Sequence, residues 1–404
     1  MIWRGKTSVL AVVLVVLGVV LAGQWPYLLN IARFYGEGWI TVVDKPVFVP
    51  DATHVYRPLD RVLGVAQPAP LPRHADLVAM TADRFAEVTA FADRMQSYAV
   101  LVWHQGAVVF EHYGEGSSPA VLPDSASMHK TVAALAVGAA IGRGSITGLD
   151  EPIGTYIAEW RDDERGQIRI RNVLNMATGL ETFAPGGPTS EATRFLAGFD
   201  AEGLLLSRKL KSPPGTVYAY RNLNTQLLGL TLERATGKPY AQFLSEALWQ
   251  PMGGADAHVW RQGQGQTPRT YTALMARPED WVRVGRLIKD RGQLDGREIV
   301  PATYMDAMLT PSALNPNYGF QIWFAQPYQA MRYYNPAQKT LGSPAREPFG
   351  APDMALLDGV GGQRVYISRA DDLVIVRLGV ARPDWDDSEL PNLVAKALEI
   401  EKTN

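Results

Sequence analysis

The chain has 404 residues with 47% hydrophobic and 20% charged residues, an ordinary globular composition, and its length exceeds what one core usually fills, so two lobes are expected. A net charge of −2 gives no electrostatic ground for a nucleic-acid partner, and the lack of cysteine excludes disulfides, thiolate metal sites and cysteine nucleophiles. No two of the six histidines (His54, His74, His104, His112, His129, His258) stand four apart, which excludes a zinc site of the His-Glu-x-x-His type.

Arg4 and Lys6 precede an apolar run from Ser8 to Gly23. A basic start followed by an apolar core fits an export signal; Val20-Leu21-Ala22 is a candidate cleavage site, and the run is also nearly long enough to stay as a membrane anchor. Either outcome places the body outside the cytoplasm, in the periplasm or an equivalent compartment. Residues 24–84 hold Asp44-Lys45-Pro46 and Gln67-Pro68-Ala69-Pro70, a proline-rich arm or linker. A short helix is expected from Ala82 to Gln96. Tyr98–His104 and Ala107–Tyr113 read as two strands around a Gln105-Gly106 turn.

Asp124-Ser125-Ala126-Ser127-Met128-His129-Lys130 then runs without a break into Thr131–Gly138, an apolar stretch of small residues. This is the start of a buried helix, on which Ser127 and Lys130, three apart, share a face. A serine hydroxyl needs a base to become a nucleophile, and burial lowers the pKa of a lysine amine toward that role. The helix start also offers N–H groups to an oxyanion. The alternative is an N-cap serine beside a solvated lysine. His129 reads as a packing or solvent-facing residue.

Residues 168–280 are mainly helical in pattern, and Pro278-Glu279-Asp280-Trp281 begins a helix running to Lys289. Within this region Pro213-Pro214-Gly215 forms a rigid turn ahead of Tyr220-Arg221-Asn222, which places Tyr220 and Asn222 on one side just before a helix. A phenol beside a lysine can relay a proton, partly as phenolate, and an amide can orient the lysine or a substrate carbonyl. Tyr333-Tyr334-Asn335 has the same spacing, but lacks the preceding turn and following helix. Tyr318–Phe324 alternates like a strand, and Gln326–Asp353 is a proline- and tyrosine-rich loop long enough to cover a site. Leu357-Asp358-Gly359-Val360-Gly361-Gly362-Gln363 leads into a strand pair, Gln363–Ser368 and Leu373–Leu378. Its glycines allow close backbone approach to a ligand or form a plain bulge. Residues 390–402 read as a closing helix. The first hairpin and the last strands are expected in one antiparallel sheet.

Ser127-Met128-His129-Lys130, Tyr220-Arg221-Asn222 and the glycine-rich strand start resemble, in order, the three motifs of the serine β-lactamase and penicillin-recognising superfamily. The Tyr-x-Asn form is similar to the class C branch, which includes D-Ala-D-Ala carboxypeptidases, esterases and 6-aminohexanoate-dimer hydrolases; the likeness covers about residues 85–400. The resemblance implies an α+β fold of β-lactamase type: an antiparallel sheet flanked by helices, with an all-helical lobe at about 127–290 inserted between strands. By the same resemblance Ser127 is acylated, Lys130 and Tyr220 share the proton work, and Asn222 orients lysine or substrate. The N–H groups of Ser127 and Val360, next to Gly359, would hold the oxyanion. No metal or organic cofactor is implied.

One departure stands out. Leu357-Asp358-Gly359 replaces the family's Lys-Thr-Gly, whose lysine holds a substrate carboxylate. A negative charge there disfavours acidic substrates and points to esters or amides without that group. The expectation is therefore an exported serine hydrolase acting on a small ester, amide or peptide. A true β-lactamase or carboxypeptidase, and a membrane-tethered, non-hydrolytic binding protein on the same fold, are the alternatives.

Overall fold

The computed structural model describes residues 49–400 apart from 188, 199 and 262–266, together with Gly18 and Trp25. The leader expected at 1–23 thus lies, except for Gly18, outside the described residues. Among the described residues no helix is long and apolar enough to cross a membrane.

The expected hairpin forms as β2 (Ser97–His104) and β3 (Ala107–Tyr113). Gln105 and Gly106 both take positive φ, the two-residue turn whose twist suits adjoining antiparallel strands. Near the other end of the chain come β11 (Ala355–Gly359), β12 (Gln363–Ser368) and β13 (Leu373–Gly379), with β8 (Trp323–Phe324) beside β11. These make one six-stranded antiparallel sheet in the order β3-β2-β13-β12-β11-β8. The smaller strands are β1 (Leu59–Val62), β4 (Ala257–Trp260) and β5 (Leu274–Met275), then β6 (Gln293–Leu294) with β7 (Arg297–Glu298), and β9 (Met331–Tyr333) with β10 (Gly342–Pro344). β1 pairs with β4, which ties the proline-rich arm to the helical lobe.

Alternation along the strands assigns the two faces of the main sheet. Val100, Val102, Ile375 and Tyr366 point to a core with Val88 and Phe91 of the helix Ala86–Arg94 and with Leu390 and Val394 of the helix Glu389–Ala397. Leu101, Trp103, Val374 and Val376 point the other way, to Trp281, Val284 and Leu287 of the helix Pro278–Lys289. That helix opens on Pro278, as its sequence predicts. It lies so close to β13 that a side-chain carbon added at Gly285 would sit 2.4 Å from Val374.

The helix His129–Gly142 is buried from His129 to Ala140, which explains why its apolar residues show no stripe. It packs against the helix Asn222–Thr236 in the lobe between β3 and the later strands. The architecture is α+β, as expected. Two elements differ: the one helix expected from Ala82 to Gln96 forms as Leu77–Asp83 and Ala86–Arg94, and the strand expected over 318–324 shrinks to β8. Gly319 N–H bonds back to Ile322 O, and Tyr318 pairs with Trp323, so the stretch folds on itself. Gln321 takes positive φ inside that turn and its amide donates to the carbonyl of Leu174. A tertiary anchor overrides the local alternation.

Candidate active site

The turn that carries Ser127 is shaped by a short side-chain relay. Asp124 accepts the N–H of Ala126 at 2.7 Å, and the Tyr56 hydroxyl, brought by the arm, bonds to the same carboxylate. Ala126 is held at φ 47°, a left-handed conformation that a residue with a side chain adopts only when its surroundings fix it. Ser127 follows in the short helical turn Ala126–Met128, half-buried, where the chain enters the helix His129–Gly142.

Lys130 returns along that helix to the serine. Its Nζ donates to Ser127 Oγ at 2.9 Å and to the carbonyl of Tyr271 at 2.8 Å. The ammonium also stands 5.2 Å from the Tyr220 ring centre and 5.6 Å from that of Tyr271. Burial lowers its pKa to about 7; the charge of Asp358 acts in the opposite direction and is outweighed. The lysine is therefore a base near neutral pH, the condition that spacing alone leaves open. His129, beside it, is fully buried between the carbonyl of Thr272 (2.8 Å) and the Tyr240 hydroxyl (3.0 Å), with its pKa lowered to about 4 by burial. It packs, steadying the segment that presents the Tyr271 carbonyl.

Tyr220 joins them from the turn before the helix Asn222–Thr236, and its phenol lies within reach of the Ser127 side chain. Burial, then the charge of Asp358, push its pKa up, so the resting group is a neutral phenol. The partial phenolate anticipated from sequence is not favoured in this environment. Tyr220 sits in an aromatic cage: Tyr334 stacks on it at 5.4 Å, Trp323 lies at 5.5 Å, and Tyr318 meets it edge-on at 6.1 Å. Asn335 fastens its backbone, accepting the Tyr220 N–H at 2.7 Å and donating to its carbonyl. The lookalike Tyr333-Tyr334-Asn335 is thus the clamp on the Tyr220 segment, and the 326–353 loop reaches the site through it.

Asn222 opens the helix Asn222–Thr236 and is half-buried, but the two hydrogen-bond partners of Lys130 are Ser127 and Tyr271. The asparagine that secures this turn is Asn224. It is buried, donates to the carbonyl of Ala219 at 3.2 Å and accepts from Thr178 at 2.7 Å. A one-turn periodicity could have signalled Asn224; Asn335 is signalled only as part of the 333–335 lookalike, and nothing local signals the Tyr271 carbonyl.

Gly359 ends β11 against the turn that carries Ser127. A side-chain carbon there would lie 2.3 Å from the Ser125 carbonyl, so only glycine fits, and Val360 follows as a partly exposed residue. The charge reading of this stretch needs correction. Asp358 does not face the substrate: it is buried and paired to Arg332 and Arg364, and it accepts from Tyr334 at 3.1 Å. Leu357 is buried in the core on the opposite face. The site lacks the family's lysine, yet the carboxylate beside it is already neutralised. Among the described residues, no group of three or more His, Asp or Glu is placed to hold a metal ion.

A family model described as Beta-lactamase matches residues 49–398. The chain belongs to the beta-lactamase family. Named relatives of this family member are hydrolases. It is 29% identical over 203 residues to the D-alanyl-D-alanine-carboxypeptidase/endopeptidase AmpH of Escherichia coli (strain K12), a match covering 47% of this chain and 51% of that protein. The matched stretch therefore spans about half the length of that relative. Esterase EstB of Burkholderia gladioli is 32% identical over 145 residues, 32% of this chain and 36% of its own. The 6-aminohexanoate-dimer hydrolase of Paenarthrobacter ureafaciens is 22% identical over 72% of this chain and 73% of its own. Among solved structures, one assigned as a 6-aminohexanoate-dimer hydrolase from Bacillus anthracis superposes with a TM-score of 0.68 at 19% identity, covering 87% of this chain and 92% of that one. At that identity the likeness concerns the fold.

Proposed function

We propose that this protein is an exported serine hydrolase that cleaves an ester or amide bond through an acyl-enzyme on Ser127. The observation that carries this reading is the contact of Lys130 Nζ with Ser127 Oγ at 2.9 Å, from a lysine whose pKa burial brings to about 7. Neutral Lys130 takes the serine proton as Oγ attacks the carbonyl carbon. The developing oxyanion is held by the N–H groups of Ser127 and Val360. Collapse of the tetrahedral species expels the leaving group, which takes its proton from Tyr220, and Lys130 restores the phenol proton. Water then attacks the acyl-enzyme by the same route and frees the acid.

The buried, paired state of Asp358 and the apolar Leu357 leave no cation at the position where the family holds a substrate carboxylate. That favours small esters and linear amides over β-lactams and peptide C-termini. The names of the EstB and 6-aminohexanoate-dimer hydrolase relatives agree with that class. The basic, then apolar N-terminus supports export, with the body in the periplasm or held at the inner membrane.

The test is Ser127→Ala. Purified wild type should be labelled one-to-one at Ser127 by a fluorophosphonate and should turn over short-chain p-nitrophenyl esters; the variant should be folded, unlabelled and inactive. Full activity in the variant would overturn the reading. A panel adding a chromogenic cephalosporin, linear amides and a D-Ala-D-Ala peptide ranks the substrate classes.

A further inference from the structure

The turn between β11 and β12 is gripped from behind by two buried guanidinium groups. Arg364 Nη1 donates to the carbonyl of Gly359 at 2.6 Å and to that of Gln363 at 2.9 Å. Arg377 Nη1 donates to the carbonyls of Gly361 at 3.0 Å and Gly362 at 3.2 Å. Both side chains are buried. The carbonyl of Gly359 and the N–H of Val360 belong to one planar trans peptide, so the two point in opposite directions. A cation fixed on the oxygen sets the direction of the N–H. It also draws electron density toward the oxygen and makes the N–H a stronger donor.

We propose that Arg364 is a positioning residue for hydrolysis at Ser127: by holding the Gly359 carbonyl it aims the Val360 N–H at the oxyanion, a role that rests on the function proposed above. The plain alternative is that Arg364 only neutralises Asp358 and Asp387. Pairing with Asp387 is already served by Nε and Nη2, at 2.8 Å and 2.7 Å. Nη1 is the group shared with the peptide carbonyl. Arg377 argues the same way more sharply. Its N–H groups go to Ser97 Oγ, Met95 O, Val380 O and the two glycine carbonyls, and none goes to a carboxylate. A buried cation without a counter-charge is costly. Here it secures the carbonyls of the same turn, which identifies what the two arginines have in common.

The test compares wild type with Arg364→Lys on a matched oxo-ester and thiono-ester. Lysine keeps the charge but has no fork with which to reach Asp387 and the Gly359 carbonyl together. Thiocarbonyl sulfur is a poor hydrogen-bond acceptor, so an aimed oxyanion N–H shows as preference for the oxo-ester. The expected result is a fall in kcat of about 10- to 100-fold on the oxo-ester with KM unchanged, and a fall of similar size in the oxo/thiono ratio. A ratio unchanged by R364K, whatever the loss of activity, overturns the inference, because a merely structural role lowers both substrates alike. An absence of oxo/thiono preference in wild type, with Ser127→Ala inactive, overturns the Val360 assignment but spares the serine mechanism; an active Ser127→Ala removes the mechanism itself. If R364K does not fold, the crystal structure of the wild-type phosphonate adduct decides. The phosphoryl oxygen on the Val360 N–H, with Arg364 still on the Gly359 carbonyl, supports the assignment. That oxygen held elsewhere, or the peptide turned over, refutes it.

Discussion

Asp358 and Arg364 stand directly opposite each other on β11 and β12, with Arg364 Nη1 2.7 Å from the Asp358 carboxylate. Around this pair Arg332 and Asp387 close a buried four-member network, with the Tyr334 hydroxyl and the Trp385 N–H as further donors. Removing one member strands the others. Asp358→Ala should lower stability by about 3–5 kcal/mol, the usual result of breaking a buried pair. Denaturant unfolding at pH 7 measures it; a loss under about 1 kcal/mol would show the network to be solvated.

On the proposed mechanism Lys130 should set the acid limb of the rate profile. Its pKa is about 7 in the folded protein, and only the neutral amine can accept the serine proton. For the free enzyme, kcat/KM should therefore rise with pH through about 7 and fall away below it. The same shift costs stability at neutral pH. Between about 7 and the ordinary lysine value of about 10.4 the unfolded chain holds a proton that the folded chain lacks, so stability rises with pH across that window. Lys130→Met should accordingly be inactive yet melt higher than wild type at pH 7, with the gap closing toward pH 10.

His129 gives a handle of the same sign, on acid stability. Its folded pKa is depressed to about 4. The unfolded chain binds the extra proton between about 6.5 and 4, so the folded state loses stability as pH falls through that range and regains it fully above. Melting temperatures followed from pH 7 to pH 4 should drop less steeply in His129→Gln than in wild type. Parallel slopes would place the acid sensitivity elsewhere.

Tyr220→Phe removes the hydroxyl that meets Ser127 while leaving the aromatic cage filled. A kcat loss of about 100- to 10,000-fold, with an unchanged melting temperature, is expected for a proton relay. Asn335→Ala should reproduce a milder version, about 10- to 100-fold, because it frees the Tyr220 backbone without touching the phenol. Stopped-flow release of nitrophenol locates both losses in acylation.

Ser127, Lys130 and Tyr220 were legible because each lies in a local pattern: a three-residue helical spacing, an apolar helix, a rigid turn. The central sheet was legible for the same reason, from short alternating runs such as Tyr98–His104. The charge network was not. Asp358 and Arg364 share one hairpin, but Arg332 and Asp387 come from separate stretches, and nothing near the hairpin announces that both will close on it. Taken alone, Asp358 looked like a repulsive group facing the substrate. The alternation of 318–324 misled for a related reason, since Gln321 answers to Leu174 and Thr225 on other elements. The 333–335 lookalike shows that a repeated spacing can mark a partner of the site as well as a rival for it.

The Tyr56–Asp124 contact has a practical consequence for whoever makes this protein. A trimmed version begun at residue 85, where the first helix of the sheet's outer face starts, would look complete by secondary structure. It would nonetheless lose the phenol that braces the carboxylate beneath Ala126, along with the Tyr56–Trp260 ring contact at 4.6 Å. Such a fragment would also lack β1, the partner of β4, and its silence in an assay would be mistaken for the wrong substrate.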